Sequence, residues 1–101
     1  MTVQPHHLQS AGNVHGRLTA VLADTAFFRA VRSLLEPGDR TTTVEMKVNF
    51  LAPSNSGELT ATVTVVSSDN RLMVADVEVS DQDQTLNAQG LGTHLIMRQS
   101  R

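Results

Sequence analysis

The chain has 101 residues, enough for one domain, but it is close to the size at which an isolated monomer is only marginally stable. It contains no cysteine, which excludes disulfide scaffolds, thiol catalysis and cysteine-bound zinc or iron–sulfur centres. The formal net charge is −2, the basic residues are scattered and the only aromatic residues are three phenylalanines, so no nucleic-acid partner is expected.

The first 14 residues are polar and are expected to form an extended or looped entry segment. Their opening letters, MTVQPHHLQS, lack the basic and apolar regions of a signal peptide. No apolar stretch approaches the roughly 20 residues that a membrane-spanning helix needs. We therefore expect a cytoplasmic protein without a membrane partner, folded as a single domain over residues 1–101.

Residues 15–35 favour a long central helix. They are rich in alanine and leucine, contain no proline, and are followed by the helix-breaking letters EPGD at 36–39. At about 100° per residue the apolar side chains fall on one broad arc. Its members are Ala20, Val21, Ala23, Phe27, Phe28, Ala30, Val31, Leu34 and Leu35. Thr19 lies largely on the other side, whereas Asp24 falls inside the apolar arc and is predicted to face the sheet or a neighbouring molecule.

Downstream of EPGD the hydrophobic pattern changes from helical to alternating, which is typical of strands. Four strands are predicted within residues 41–97, at about 41–51, 58–66, 73–79 and 85–97. The letters SSDNR between the second and third strands predict a hairpin, and Gly90 and Gly92 indicate a bulge or a bend in the last one. One helix followed by four strands predicts an α+β fold, in which an antiparallel meander covers its apolar face with the helix.

Strict alternation assigns two faces to the first predicted strand. The apolar face would hold Val44, Met46, Val48 and Phe50, and the polar face would hold Thr43, Glu45, Lys47 and Asn49. Thr43 is therefore expected on the polar face of this strand.

Asp24 raises a question because an unpaired carboxylate on an apolar surface costs several kcal/mol. One interpretation is structural: the carboxylate accepts a hydrogen bond from a hydroxyl such as that of Thr43. The other is chemical: Asp24 is a general base or a nucleophile at the mouth of a pocket. The pattern alone leaves both open.

Gly16 lies at the predicted start of the same helix, where backbone N–H groups have no partner within the helix. Such an N–H can hold an oxygen that becomes negative in a transition state, and together with a carboxylate it would suit acyl hydrolysis. However, Gly16 and Asp24 are eight residues apart, which is about 12 Å along one helix. Both could reach one carbonyl group if two helices from paired subunits met.

The histidines do not suggest a metal centre, because no pair of them has the spacing of metal ligands. His15 is expected to orient the start of the helix by hydrogen bonding. His94 stands alone, far along the chain on the last predicted strand. No metal or other cofactor is expected.

Three segments resemble the hotdog-fold acyl-CoA thioesterases, in particular the branch that includes phenylacetate-pathway and one type of 4-hydroxybenzoyl-CoA thioesterases. The segments are NVHGRLTAVLADTAF, VEMKVNFLAPSNSGEL and AQGLGTHLI, and the resemblance covers about residues 9–97. It implies a hotdog fold, in which an antiparallel sheet of four or five strands wraps a long central helix. It also implies homodimers paired edge to edge, which pair again into homotetramers.

The resemblance implies an acyl-CoA thioesterase, which cleaves an acyl-CoA to a free acid and coenzyme A without a cofactor. Gly16 corresponds to the helix-start glycine whose N–H polarises the thioester carbonyl, and Asp24 to the acidic base or nucleophile. Gln9 falls where the family positions substrate or water, and Thr43 where some members orient the hydrolytic water. Asp24 and Thr43 would come from one subunit and Gln9 and Gly16 from its partner, so that each active site is shared.

The expected substrate-binding residues are His15, Arg17 and Phe28. Arg17 stands where the family's usual His-Gly-Gly motif has its second glycine, and it could contact an anionic part of coenzyme A. Phe27 and Phe28 are expected in the core, with one of them lining the acyl tunnel. The alternative function is non-catalytic binding of an acyl-CoA or a lipid on the same scaffold, with Asp24 as a hydrogen-bonded structural carboxylate.

Overall fold

The computed structural model describes residues 1–4, 6, 16–53 and 57–99. Its named elements are the helix α1 (Gly16–Arg32) and the strands β1 (Arg40–Phe50), β2 (Thr60–Ser68), β3 (Leu72–Ser80) and β4 (Leu86–Met97). One helix packed on a four-stranded antiparallel sheet confirms the predicted α+β class.

The strands lie in the order β1-β4-β3-β2. Strands β2, β3 and β4 form the predicted meander, but β1 pairs with β4, so the prediction of one continuous meander is wrong. The connection from β1 to β2 contains Pro53 and spans 51–59. It is too long for the two-residue turn of a tight hairpin, so nothing local forces β1 onto β2. Pairing with β4 instead extends from Arg40 opposite Met97 to Phe50 opposite Ala88.

The turn between β2 and β3 is the predicted hairpin. The Asp69 carboxylate accepts hydrogen bonds from the backbone N–H groups of Arg71 and Leu72, both at 2.8 Å. These two donors lower the pKa of Asp69, because they favour the charged carboxylate. Within the SSDNR segment, the Asp69 side chain therefore closes the turn by accepting these two hydrogen bonds.

One stripe of α1 packs on the sheet. Its buried residues are Thr19, Ala23, Phe27 and Val31. This stripe is narrower than the predicted arc, because a single sheet covers only the helix face that is turned towards it. Val21 and Phe28, predicted in the apolar arc, are 58% and 47% exposed, and Thr19 is buried. The arc was therefore wrong at these three positions.

The end of α1 is tied to the end of β4. The helix stops at Arg32, short of the predicted residue 35, and the Leu34 N–H then closes a tight turn onto the Val31 carbonyl. The Arg98 guanidinium donates to the Leu34 carbonyl oxygen at 3.0 Å and to the Asp39 carboxylate at 2.9 Å. Helix and sheet are thus held together at this end by charge-assisted hydrogen bonds.

Beside β2 the N-terminal residues add one antiparallel bridge, between Thr2 and Glu58, and no fifth strand is present within the described residues. Over the same part of the chain, no helix has the length and apolar character to cross a membrane.

The glycines of β4 permit close approach. A Cβ built on Gly92 would lie 2.9 Å from the ζ carbon of the Phe27 ring, and one built on Gly90 would lie 2.4 Å from the Lys47 carbonyl oxygen. The registers of β4 with β1 and with β3 continue unshifted through both glycines. Of the predicted bulge or bend, the bulge is therefore absent, and the glycines admit the helix ring and the neighbouring backbone.

We expect Gly92→Ala to lower the free energy of unfolding by about 1–3 kcal/mol, because the new methyl group meets a fully buried aromatic ring. Urea unfolding measures the change. Combining Gly92→Ala with Phe27→Leu should cost less than the sum of the two single variants, since leucine makes room for the methyl group. Additive losses would show that the two residues do not compete for the same space.

Candidate active site

A β-bulge in β1 determines which way Thr43 points. The register with β4 shifts between Thr43 and Glu45, so Val44 is the extra residue, and its side chain is 60% exposed. Beyond the bulge, Met46 and Val48 pack against the core. Before the bulge, this inner face is occupied by Thr43, because the extra residue reverses the alternation. The prediction that Thr43 and Met46 lie on opposite faces is therefore wrong.

A cleft of about 240 Å³ lies between α1 and the paired strands β1 and β4. Its lining residues are Asp24, Thr25, Phe28, Thr41, Thr42, Thr43 and His94. Asp24 and Phe28 are neighbours one turn apart on α1, and Thr43 lies directly opposite His94 in the sheet. The cleft thus brings together three of the residues singled out in the sequence, Asp24, Thr43 and Phe28.

Asp24 lies on the exposed flank of α1 and is not buried against the sheet. Of the two predicted directions, the one towards the sheet is therefore wrong, and the one towards a neighbouring molecule stays a prediction. Its carboxylate makes no hydrogen bond or ion pair within the described part of the chain, and the expected bond from the Thr43 hydroxyl is not formed. The exposed side chains of Val21 and Phe28 lie on the same flank, three residues before it and four after it. A carboxylate at the rim of a cleft, bordered by apolar surface, is left for a ligand or a second molecule to contact.

His94 lines the inner wall of the cleft. The sequence pattern gave it no predicted role, because it has no second histidine at the spacing of metal ligands. Its side chain is 2% exposed and packs against the Phe27 ring, with the two ring centroids 6.0 Å apart. Neither ring nitrogen has a hydrogen-bond partner among the described residues. The alternation of β4 could have predicted that His94 is buried, because its side chain lies on the same face of the strand as the buried Gly92 and Ile96.

The environment of His94 favours the neutral imidazole. Burial lowers the pKa of His94, because the charged ring would lose its hydration, and the nearby Asp24 carboxylate opposes this by raising it. The net shift is downwards from an ordinary value of about 6.5, so the neutral ring is favoured near pH 7. A neutral imidazole has one donor and one acceptor nitrogen.

Gly16 begins α1 at the far end of β1, where a Cβ built on it would lie 3.5 Å from the Phe50 ring. Asp24 is about 12 Å further along the helix. One chain therefore does not bring the helix-start N–H to the cleft. Arg17 is exposed beside Gly16, and Gln9 and His15 lie outside the described residues.

Within the described residues no three His, Asp or Glu side chains come together as a metal site would require.

A family model, relatives in sequence and solved structures all connect this chain with thioesterases. The model of the Thioesterase superfamily matches residues 11–88. A relative from Saccharolobus solfataricus is 36% identical over 89 residues, which span 88% of this chain and 59% of that protein. Acyl-coenzyme A thioesterase 13 of Mus musculus is 30% identical over 92% of this chain and 67% of its own length.

Among solved structures, the PaaI protein from the phenylacetic acid degradation operon of E. coli has a TM-score of 0.85 and 32% identity, covering 99% of this chain and 70% of that one. A Bacillus halodurans protein solved with CoA has a TM-score of 0.90 and 25% identity, covering 95% of this chain and 64% of that one. These likenesses confirm the predicted hotdog fold. This chain spans 59% of the Saccharolobus relative and 66% of a Halobacterium salinarum one, less than two thirds of either.

We expect Asp24→Asn to lower the pKa of His94 further, because the substitution removes the negative charge that favours the imidazolium. The pH titration of the His94 ring protons, followed by NMR, measures this. Glu45→Gln is the control, because Glu45 is exposed and does not line the cleft; the His94 midpoint should not change. Equal midpoints in the wild type and the Asp24 variant would contradict their proximity.

The lowered pKa of His94 also makes the free energy of unfolding depend on pH. The unfolded chain binds the His94 proton more tightly than the folded chain, so protonation favours unfolding. The free energy of unfolding therefore falls as the pH drops from about 6.5 towards the lower pKa of the folded state.

Proposed function

The chain belongs to the Thioesterase superfamily, and we propose that it acts as an acyl-CoA thioesterase, hydrolysing the thioester to a free acid and coenzyme A. The observation that supports this most directly is the cleft, in which the Asp24 carboxylate and the Thr43 hydroxyl line one space without being bonded to each other. The activity named for the mouse relative and the CoA in the Bacillus structure support an acyl-CoA as the substrate.

In the proposed reaction Asp24 is the general base. Water in the cleft attacks the thioester carbonyl carbon while its proton passes to the Asp24 carboxylate, and Thr43 orients the water. The carbonyl oxygen becomes negative and is stabilised by the Gly16 N–H. The intermediate then collapses, the carbon–sulfur bond breaks, and the CoA sulfur leaves with the proton.

Direct attack by the Asp24 carboxylate is the other chemical route. It would form an acyl anhydride, which a water molecule must cleave in a second step. Both routes require a water molecule beside Asp24, so in each of them the cleft holds that water.

A second copy of the chain is part of the proposal. The 12 Å between Gly16 and Asp24 requires that the oxyanion donor come from a partner subunit. Exposed apolar side chains on the Asp24 flank of α1, and the edge position of β1 in the sheet, support pairing of two copies at this side. Isologous pairing then gives two equivalent sites in a homodimer. Further pairing into a tetramer remains an expectation from the family resemblance.

The remaining predicted residues have proposed roles at this shared site. Gln9 of the subunit that supplies Gly16 would position the substrate or water, and His15 would orient the helix start. Arg17, exposed at the helix start, would contact a phosphate of coenzyme A. Phe28, at the cleft, would contact the acyl group.

Asp24→Asn should lower the rate of thiol release by about 10²–10⁴-fold, because the amide cannot accept the proton of the attacking water. The assay measures free thiol from a panel of acyl-CoAs. Asp83→Asn, an equivalent change in an exposed turn, should leave the rate unchanged. Equal turnover by the wild type and Asp24→Asn would exclude this role, and binding without turnover in the wild type would identify a non-catalytic acyl-CoA binder.

The shared site can be tested by mixing two inactive variants. Gly16→Pro removes the helix-start N–H, and proline is tolerated at the first helical position. Co-refolding it with Asp24→Asn should restore roughly a quarter of the wild-type activity, because half of the dimers are mixed and each of these has one intact site. Gly16→Ala keeps the N–H and its methyl group meets the Phe50 ring at an ordinary 3.5 Å, so it should remain active. If the mixture stays inactive, the site does not combine groups from two subunits.

A further inference from the structure

The buried imidazole of His94 is a polar group of the cleft that the proposed reaction has not used. With 2% exposure and no described partner for either nitrogen, it differs from most buried polar groups, which are hydrogen-bonded. A buried donor or acceptor without a partner costs about 1–3 kcal/mol. A molecule in the cleft can supply the missing hydrogen bonds, because His94 lines it.

The polar groups of the cleft come from three different elements. Asp24 lies on α1, Thr43 on β1 and His94 on β4. Thr43 and His94 are direct partners across the antiparallel pair, which places their Cβ atoms about 4.5–5.5 Å apart. The Asp24 charge acts on the His94 ring, yet no hydrogen bond joins these side chains. They surround a common space that a small polar molecule can share.

We propose that His94 positions the hydrolytic water together with Asp24 and Thr43. This inference rests on the proposed thioesterase function. The water donates one hydrogen bond to the Asp24 carboxylate and the other to the unprotonated nitrogen of His94, and it accepts one from the Thr43 hydroxyl. Its remaining lone pair then points to the carbonyl carbon. The proton still passes to Asp24, and His94 neither gains nor loses one in the reaction.

This role requires a neutral ring. Around His94, α1 contributes Phe27 and Asp24, β1 contributes Thr43 and β3 contributes Met73. Among the described residues, Asp24 is therefore the titratable group that faces the ring. Protonation would remove the acceptor nitrogen and place a positive charge near the catalytic carboxylate. Loss of activity at low pH should therefore contain a contribution from His94.

Two substitutions separate water positioning from a structural role. His94→Leu fills the space of the imidazole with an apolar side chain of similar size and removes both hydrogen-bonding nitrogen atoms. His94→Gln places an amide that does not titrate near the position of Nε2. We expect His94→Leu to lower kcat by roughly 10–100-fold with little change in KM. His94→Gln should have most of the wild-type kcat at neutral pH. Because its amide does not titrate, its activity should fall less at low pH than that of the wild type.

Stability measurements provide the control. His94→Leu should unfold at the same temperature as the wild type or higher, because it removes an unsatisfied buried polar group. Met73→Leu, at the neighbouring buried position of β3, should leave both kcat and its pH profile unchanged.

The possible outcomes separate this inference from the proposed function. Wild-type kcat and an unchanged pH profile in His94→Leu, with thiol still released by the wild type, would overturn the role of His94 and leave the thioesterase standing. The same holds if His94→Gln is as impaired as His94→Leu. A wild type that cleaves none of the acyl-CoAs would overturn the thioesterase function, and the role of His94 with it.

Discussion

The contact between the Phe27 ring and Gly92 sets the position of the helix on the sheet. The ring is fully buried and lies so close to β4 that the strand has no room for a side chain there. Two residues further along β4, His94 packs against the same ring. The depth at which α1 sits therefore also sets the separation between the Asp24 flank of the helix and the His94 side of the sheet, and with it the width of the cleft.

The same packing leaves one side of the helix uncovered. A two-layer structure shields only the stripe of α1 that faces the sheet, while Val21 and Phe28 remain exposed beside Asp24. Burying such side chains yields roughly 25 cal/mol per Å² of apolar surface. A second chain covering this flank would gain that free energy and would also enclose the carboxylate. Association and completion of the site would then depend on one surface.

Much of the fold followed from local patterns. The helix, the four strands and the Asp69 turn each carry their signal within a few residues. The pairing of β1 with β4 does not, because it depends on contacts far apart in the chain. The bulge at Val44 was also missed, since this β-branched residue fits the alternation of a regular strand. The error reversed the side assigned to Thr43. Asp24 and Thr43 line one cleft, and the catalytic roles that the family resemblance implies for them stay predictions. His94, without a partner nearby in sequence, was discounted.

The two ionisable groups of the cleft lie in opposite environments. Asp24 is at the solvent-accessible rim, whereas His94 is enclosed by the Phe27 ring and the sheet, where an uncharged imidazole is favoured. Environments of this kind separate the roles of two titratable groups, one accepting the proton and the other offering a fixed hydrogen bond. Thr43 and His94 are held on paired strands, which position side chains more precisely than a loop does. Asp24 is the ionisable group that α1 contributes to the cleft, so the geometry of the proposed chemistry depends on the helix depth that Gly92 permits.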